Sequence, residues 1–302
     1  MNYRYLTGIA MLFAIAALWG LGFVFQREGM DHVGPYTFNA LRFVVGALSV
    51  LPVIALFSRN RPKETEEGAL LKGGILAGGM LFMGITLQQI GLIHTTAGKS
   101  SFITGLYMIF VPMVGIVLGY AVGRKVWVAA ALALVGLYLL SVTSNFEIAK
   151  GDGVTFICAF FWTGQVMVTG HYSTKVDGPR FALVQFVTVA ALSIPLMLIF
   201  ETVEWGTIKG AASGILYTGL AGTGLAMTLQ ILAQARVPSV QAALIMSLET
   251  VFGAIGGWWI LNEILTPRMA LGCALMLFGI VIAQLPGRRR QKPIRWAFRR
   301  RG

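Results

Sequence analysis

Ten stretches of mostly apolar residues follow one another along the chain and are separated only by short polar gaps. They lie at residues 7–25, 35–57, 70–92, 97–121, 126–143, 153–171, 180–200, 209–233, 238–261 and 269–286. A helix of about 20 apolar residues is long enough to cross the hydrocarbon core of a bilayer. The pattern therefore predicts an all-α integral membrane protein with ten transmembrane helices, called spans 1 to 10 here in chain order.

The composition also favours a membrane protein. Of the 302 residues, 56% are hydrophobic and only 12% are charged, whereas about a quarter of the residues of a soluble protein are charged. The formal net charge of +12 is concentrated in a C-terminal tail, GRRRQKPIRWAFRRRG, and in the gaps between spans. Since no RNA- or DNA-binding motif accompanies this tail, we expect the lipid bilayer as a partner and no nucleic acid.

The distribution of Lys and Arg predicts the orientation of the chain. Eighteen of them lie at the N-terminus, in alternate loops and in the C-terminal tail, while the remaining loops carry five. Cytoplasmic loops carry the excess of positive charge. We therefore expect a multi-pass protein of the bacterial inner (plasma) membrane with both termini cytoplasmic.

The second half of the sequence repeats features of the first. Gly34–Pro52 resembles Gly178–Pro195, and the tripeptide TLQ at Thr86–Gln88 recurs at Thr228–Gln230. KGG at Lys72 is matched by KGA at Lys209, and the spacing of Gly115 and Gly119 recurs at Gly253 and Gly257, so the four offsets range from 137 to 144 residues. Each half contains five spans, and an odd number of spans places the second half upside down relative to the first. Inverted repeats are typical of secondary transporters, whose binding site lies near the midplane between the halves.

This repeat divides the chain into three predicted parts. Residues 1–145 form the first five-helix repeat, residues 146–287 form the second, inverted repeat, and residues 288–302 form a basic cytoplasmic tail.

Two charged residues lie inside predicted spans. Glu249 falls near the middle of span 9, and Arg42 lies about a third of the way into span 2. A charge at such depth costs at least about 2.5–3.5 kcal/mol, so it normally faces a cavity or a partner. Either the two residues pair with each other or with backbone and water to hold helices together, or they bind a substrate or carry a proton.

Uncharged polar and aromatic residues lie inside the spans as well. Amide and hydroxyl groups suit a zwitterion or another polar solute, although each of them also suits a helix-packing hydrogen bond. Trp19 and Trp162 occupy matching mid-span positions in spans 1 and 6, where they form flat walls for a substrate or pack in the core. The candidate substrate-binding residues are Trp19, Gln88, Tyr107, Trp162, Gln230, Gln241, Met246 and Glu249.

Glycines are spaced four residues apart in spans 4 and 9. Gly115 and Gly119 form one such pair, and Gly253 and Gly257 form the other. Small residues let helices approach closely in lipid, so we expect these two spans to cross at the glycines. A homodimer contact through the same glycines is the competing interpretation.

Motifs for chemistry are missing from the sequence. It has no GxxxxGK[ST] loop for nucleotide binding, no GxSxG or HExxH motif, and no metal-ligand spacing. We expect no enzyme activity, no cofactor and no metal site.

The motifs together resemble the EamA-type branch of the drug/metabolite transporter superfamily. The likeness rests on Trp19-Gly20, on Pro35, Arg42-Phe43 and Pro52 in span 2, on TTAGKSSFITGLYMIFVP leading into span 4 and on SLETVFGAIGGWWILNE in span 9. Within this branch the chain is most similar to the YddG-type exporters of aromatic and other neutral amino acids. The resemblance implies a central cavity walled by spans 3, 4, 8 and 9, with spans 1 and 6 contributing, and the candidate residues named above as its lining.

Two departures from the family pattern stand out. The family often has Glu-Pro where this chain has Glu249-Thr250, so the helix break made by that proline is expected to be missing. The family also often ends its fourth helix with Gly-Glu-Arg, where this chain has Gly123, Arg124 and Lys125.

We therefore expect a transporter that exports small amphipathic metabolites, or facilitates their passage, by alternating access at a central cavity. Aromatic and neutral amino acids are the expected substrates. A multidrug or other metabolite carrier is the alternative within this class, and a membrane scaffold without transport is the alternative outside it.

Overall fold

The computed structural model of the chain describes residues 3–57, 67–95, 97–142, 150–260 and 264–284. These residues form helices joined by short connections, and no β-strand lies among them. Ten of their helical segments are long and apolar enough to cross a membrane. The predicted fold class is confirmed.

The spans begin and end close to the predicted residues. The unbroken ones are Tyr3–Met30, Pro35–Phe57, Glu67–Ile93, Arg124–Ser141, Lys150–Tyr172, Gly178–Phe200 and Pro267–Gln284. Two spans are each made of two helices: span 4 of Ala97–Gly105 and Tyr107–Val117, and span 9 of Ser239–Met246 and Glu249–Ile260. Span 8 has three segments, namely the α-helix Ala212–Tyr217, the π-helix Thr218–Met227 and the α-helix Thr228–Gln234. A short helix, Trp205–Gly210, precedes span 8. Span 1 continues past the predicted end at residue 25 and so includes Gln26.

The spans pack in pairs that follow the repeat. Span 3 packs against spans 6 and 7, and its counterpart, span 8, packs against spans 1 and 2. Span 9 packs against span 1 as span 4 packs against span 6. Spans 2 and 7 contact each other across the two halves, and so do spans 5 and 10. This is the packing expected of two inverted repeats.

The predicted boundary between residues 145 and 146 and the predicted basic tail at 288–302 lie outside the described residues.

Polar contacts tie the spans together at both ends of the bundle. At the end where the chain enters and leaves the bundle, called the terminal end, the Tyr5 hydroxyl lies 2.9 Å from Gln241 Oε1 and 2.7 Å from Gln284 Oε1. At the opposite end, the Glu201 carboxylate accepts hydrogen bonds from the backbone N–H groups of Tyr36 and Thr37, at 2.9 and 2.7 Å. The first turn of a helix has unpaired N–H groups, which an acceptor satisfies. Glu201 at the end of span 7 thus caps span 2.

Spans 4 and 9 are both broken near the middle, at equivalent positions. The break in span 4 is at Leu106, whose N–H donates to the carbonyl of Ile103, three residues back. The break in span 9 is at residues 247 and 248, where the N–H of Leu248 donates to the carbonyl of Ile245. Such tighter bonds interrupt the regular α-helical ladder.

The break in span 9 corrects the expectation that it would be missing. No proline lies at this point, but two hydroxyl groups bond to carbonyls three residues back. Ser247 Oγ donates to the Leu244 carbonyl at 2.8 Å, and Thr250 Oγ1 donates to the Ser247 carbonyl at 2.9 Å. Hydroxyls that bond to the preceding turn often bend helices, and both of these bonds lie at the break.

Spans 4 and 9 contact each other as expected, but only one of the four glycines lies at this contact. Gly253 faces the backbone of Gly20 in span 1, and Gly257 is buried in the same helix. Gly119 lies in the turn after span 4, where its φ of 84° favours glycine, and a Cβ atom there would meet nothing within 4 Å. Only Gly115 lies near span 9, where a Cβ would be 3.6 Å from Val240. Gly253 therefore faces span 1 rather than span 4.

Candidate functional site

A cavity lies at the centre of the bundle, between the two halves. The empty space between its walls is about 740 Å³, a volume that includes space open to solvent. Its lining contains six pairs of residues at equivalent positions in the two repeats: Trp19 and Trp162, Phe23 and Val166, Ile85 and Met227, Gln88 and Gln230, Thr104 and Met246, and Tyr107 and Glu249. The cavity therefore lies on the axis that relates the halves.

The two tryptophans face each other across this axis. Their ring centroids are 6.2 Å apart and the ring planes are inclined at 59°. Trp19 Nε1 donates to the carbonyl of Gly222 at 2.9 Å, whereas Trp162 Nε1 has no partner in the described part of the chain. The indole rings give the centre of the cavity an apolar, aromatic wall.

Tyr107 and Glu249 enter the cavity because of the two helix breaks. Each is the first residue of the helix that follows a break. Gly20 in span 1 lets span 9 approach at this level, since a Cβ on Gly20 would lie 2.5 Å from the carbonyl oxygen of Glu249. A carboxylate and a phenol thus meet the cavity at matching positions.

Glutamines fill the space between the cavity and the terminal end. Gln165 Nε2 lies 3.4 Å from both Gln185 Oε1 and Gln230 Oε1, and Gln230 Nε2 donates to Gln165 Oε1 at 3.1 Å. Gln165 Nε2 also lies 3.1 Å from Thr169 Oγ1. All four side chains are buried. We call Gln165, Thr169, Gln185 and Gln230 the glutamine cluster.

The equivalent space in the other half is open. The counterparts of Gln165, Thr169 and Gln185 are Gly22, Gln26 and Arg42, and all three of these line the cavity. The cavity therefore extends from the tryptophans toward the opposite end, while the glutamine cluster closes it toward the terminal end.

A smaller pocket lies beyond the glutamine cluster, at the terminal end. Its volume is about 360 Å³, and its lining includes Tyr120, Gly170, Gln234 and Ser239. Partial burial raises the pKa of Tyr120 above its ordinary value, so its phenol is neutral at physiological pH. The glutamine cluster thus separates two spaces that lie on one path through the bundle.

Arg42 and Glu249 line the same cavity without an ion pair between them. Arg42 Nη1 lies 3.4 Å from Gln26 Oε1, and the guanidinium carbon lies 5.5 and 5.3 Å from the ring centroids of Phe38 and Phe43. Mutual pairing, one of the two interpretations open from the sequence, is not what the structure shows.

Seven of the eight candidate substrate residues line the cavity, and Gln241 does not. Gln241 lies at the terminal end, where it accepts the hydrogen bond from Tyr5. In a continuous helix, two residues eight apart would lie on about the same face, but the break at 247 and 248 separates Gln241 from Glu249.

Several cavity residues escaped the sequence analysis. Gln26 was missed because span 1 was expected to end at residue 25. The repeat offset of 142 residues would have found Thr104 as the counterpart of Met246. Thr218, Gly222 and Thr223 come from the π-helical segment, which hydropathy does not reveal.

Comparison with known proteins decides the family. The model of the EamA-like transporter family matches the chain twice, over residues 6–142 and 149–284. The chain belongs to the EamA-like transporter family. Its two matched regions coincide with the two sets of five spans.

Relatives of this EamA-like transporter carry corresponding names. An uncharacterized transporter of Archaeoglobus fulgidus is 32% identical over 272 residues, which cover 90% of this chain and 83% of that one. A probable amino-acid metabolite efflux pump of Salmonella typhimurium is 25% identical over 291 residues, 89% of this chain and 91% of that one. A solved crystal structure has the same fold, with a TM-score of 0.78 at 17% identity, covering 92% of this chain and 96% of that one.

The family and the spans make this EamA-like transporter a multi-pass membrane protein, and they indicate a transporter rather than an enzyme.

Proposed function

We propose that this EamA-like transporter exports small amphipathic metabolites, or facilitates their passage, and that aromatic and neutral amino acids are its main substrates. The observation that carries the proposal is the central cavity, in which two tryptophans form an apolar wall and a glutamate and glutamines supply polar groups. An amphipathic solute needs both kinds of surface. The name of the Salmonella relative and the likeness to the YddG-type exporters agree with this substrate class.

The two halves differ in how they close the cavity, and this difference supports transport by alternating access. The glutamine cluster closes the path toward the terminal end, and its counterparts Gly22, Gln26 and Arg42 leave the path toward the opposite end open. Because the halves are inverted repeats, exchanging these two arrangements would close one end and open the other. Solute bound at the tryptophans would then reach the smaller pocket beyond the cluster.

We propose the bacterial inner membrane as the location, with the terminal end in the cytoplasm. The basic residues of the described loops at the terminal end, such as Arg124, Lys125 and Lys175, agree with the excess of positive charge on cytoplasmic loops. In this orientation the cavity extends toward the outside of the cell.

A carrier of drug-like cations is the second candidate. It is favoured by the same aromatic wall together with Glu249, because a cation over an aromatic ring is attracted to its face.

Uptake into proteoliposomes tests the proposal. Purified protein would be assayed with a panel of radiolabelled amino acids, with and without a pH gradient, beside Glu249→Gln. The exposed Glu204→Gln, at the opposite end, is the matched control. We expect saturable uptake of aromatic amino acids that weakens in Glu249→Gln and is unchanged in Glu204→Gln.

The pH gradient separates two roles for Glu249. Uptake that ignores the gradient makes the protein a facilitator with Glu249 in the binding site. Gradient-driven uptake that disappears in Glu249→Gln makes this carboxylate the proton carrier. Absence of uptake for every amino acid would contradict the proposed substrates and favour the drug-like cations.

A further inference from the structure

The cavity contains an arginine that the fold leaves without a carboxylate partner. Arg42 is 7% exposed and Gln26 is 9% exposed, and both line the cavity. Among the described residues, no Asp or Glu forms an ion pair with Arg42. A cation at this depth normally has a partner or serves a function.

The polar groups at Arg42 and Gln26 that lack a hydrogen-bond partner among the described residues are donors. An arginine can only donate, so Gln26 turns its oxygen toward Arg42 and its amide NH₂ group away. Gln26 Nε2 and Arg42 Nε have no partner in the described part of the chain. Two buried donors on neighbouring side chains lack an acceptor, and a carboxylate supplies two acceptor oxygens.

The other half of the molecule shows that packing does not require a cation here. The counterpart of Arg42 is Gln185, a neutral residue whose Oε1 lies within 3.4 Å of Gln165 Nε2. Both positions are buried at the interface of spans 2 and 7 with the centre of the bundle. The same fold is therefore built with an amide on one side and a guanidinium on the other, and only the guanidinium faces the open cavity.

We infer that Arg42 and Gln26 form a subsite for the carboxylate group of the transported solute. This inference rests on the proposed transport role and narrows its substrates to amphipathic carboxylates. Gln26 lies seven residues beyond Trp19 on span 1, which is about 10 Å along a helix. A solute whose apolar part lies against the tryptophans and whose carboxylate reaches Arg42 is elongated, as an aromatic amino acid is.

Three related probes separate the carboxylate from the amino group. Phenylalanine has both groups, phenylalaninamide lacks the carboxylate, and 3-phenylpropionate lacks the amino group. Binding of each to the purified full chain would be measured by titration calorimetry for the wild type, Arg42→Gln and Arg42→Lys. The exposed Arg268→Gln, outside the cavity, is the control for loss of one charge.

We expect the wild type to bind both carboxylates at least about tenfold more tightly than phenylalaninamide, since hydrogen bonds to charged groups are strong. Arg42→Gln should remove this preference by weakening the two carboxylates about tenfold or more while leaving the amide within about threefold. Arg42→Lys keeps the charge but not the planar fork, so it should be intermediate. Arg268→Gln should match the wild type.

Two results would overturn the subsite. One is equal binding of phenylalanine and phenylalaninamide by the wild type. This comparison needs no variant, so it remains valid if Arg42→Gln fails to fold. The other is an equal loss for all three probes in both Arg42 variants, which is the signature of packing.

Failure of the subsite and failure of the proposed function give different results. If phenylalanine is transported and Arg42→Gln keeps the preference for carboxylates, the subsite is wrong and the transport role stands. If no amino acid is transported but 3-phenylpropionate binds in an Arg42-dependent way, the subsite stands and the amino-acid substrates are wrong.

Discussion

At the scale of single residues, the cavity combines one aromatic pair with polar groups held by their neighbours. Trp19 is fixed by its hydrogen bond to Gly222, while the indole N–H of Trp162 has no partner among the described residues. The two rings therefore differ in their hydrogen bonds, although they are equivalent by symmetry. On this basis we expect Trp162 to be the ring that adjusts to a solute.

Replacing Trp162 tests the aromatic wall. We expect Trp162→Leu to raise the KM for aromatic amino acids about two- to tenfold, because aromatic pairs contribute about 0.5–1.5 kcal/mol beyond their buried area. The KM for leucine should change less. Initial rates of uptake into proteoliposomes measure both.

Trp205→Leu is the control for this variant, since Trp205 is 71% exposed at the opposite end of the bundle. If Trp162→Leu leaves the KM of every aromatic substrate unchanged, the tryptophan rings do not contribute to substrate binding.

Residue-level prediction from sequence succeeded where a polar or aromatic residue lay inside a span. Such residues are costly in lipid, so mid-span Glu249 and Tyr107 had to face a cavity or a partner. Gln241 shows the limit, because its place depends on the phase of a helix that breaks before Glu249.

At the scale of elements, the two broken spans bring chemistry into the cavity. A continuous span 9 would carry Glu249 on about the same face as Gln241, roughly 12 Å farther along the helix. The break restarts the helix at Glu249 and turns this carboxylate toward the centre. Hydropathy located both spans to within a few residues, but it is insensitive to hydroxyl–carbonyl bonds and therefore did not reveal the breaks.

The hydroxyl groups of Ser247 and Thr250 at the break can be removed with little change in side-chain volume. We expect the double variant Ser247→Ala, Thr250→Val to remain folded, with the free energy of unfolding lowered by about 1–2 kcal/mol, because hydrogen bonds inside membranes average about 0.6 kcal/mol. The uptake rate per folded protein should also fall, since Glu249 loses its position in the cavity. The loss of folded protein alone should not account for this decrease. Thermal unfolding and proteoliposome uptake give the two readings.

Thr207→Ala is the matched control, since Thr207 Oγ1 makes the same kind of bond to the carbonyl of Glu204 outside the spans. If the double variant transports like the wild type, the hydroxyl bonds do not maintain the break.

At the scale of the whole molecule, the inverted repeat sets where the cavity lies, and the difference between the halves sets which end it approaches. The repeat was visible in the sequence as an offset of 137 to 144 residues, and the six pairs of cavity residues have offsets of 142 or 143 residues. The hydrogen bonds of the glutamine cluster could not be predicted, because the repeat offset does not show which of the two equivalent regions such bonds close.

Orientation is predicted at this scale as well. Lys175 lies at the terminal end and Lys209 at the opposite end, and both are exposed. In intact cells we expect a membrane-impermeant maleimide to label Lys209→Cys and not Lys175→Cys, in a Cys273→Ala background where the remaining Cys158 is buried. If only the cysteine at position 175 is labelled, the orientation is the opposite of the one we propose.

Filling the cavity tests the central claim most directly, namely that solute passes through this space. A Cβ on Gly222 has only Thr218 within 4 Å, and Gly222 lines the cavity, so Gly222→Leu adds a side chain there whose Cβ meets no clash. Gly79→Leu is the control, because a Cβ on Gly79 meets nothing within 4 Å and Gly79 is not part of the cavity lining. The measurement is the initial rate of aromatic amino-acid uptake into proteoliposomes containing equal amounts of folded protein. We predict a loss of about tenfold or more for Gly222→Leu and a wild-type rate for Gly79→Leu, whereas wild-type uptake by Gly222→Leu would contradict transport through the cavity.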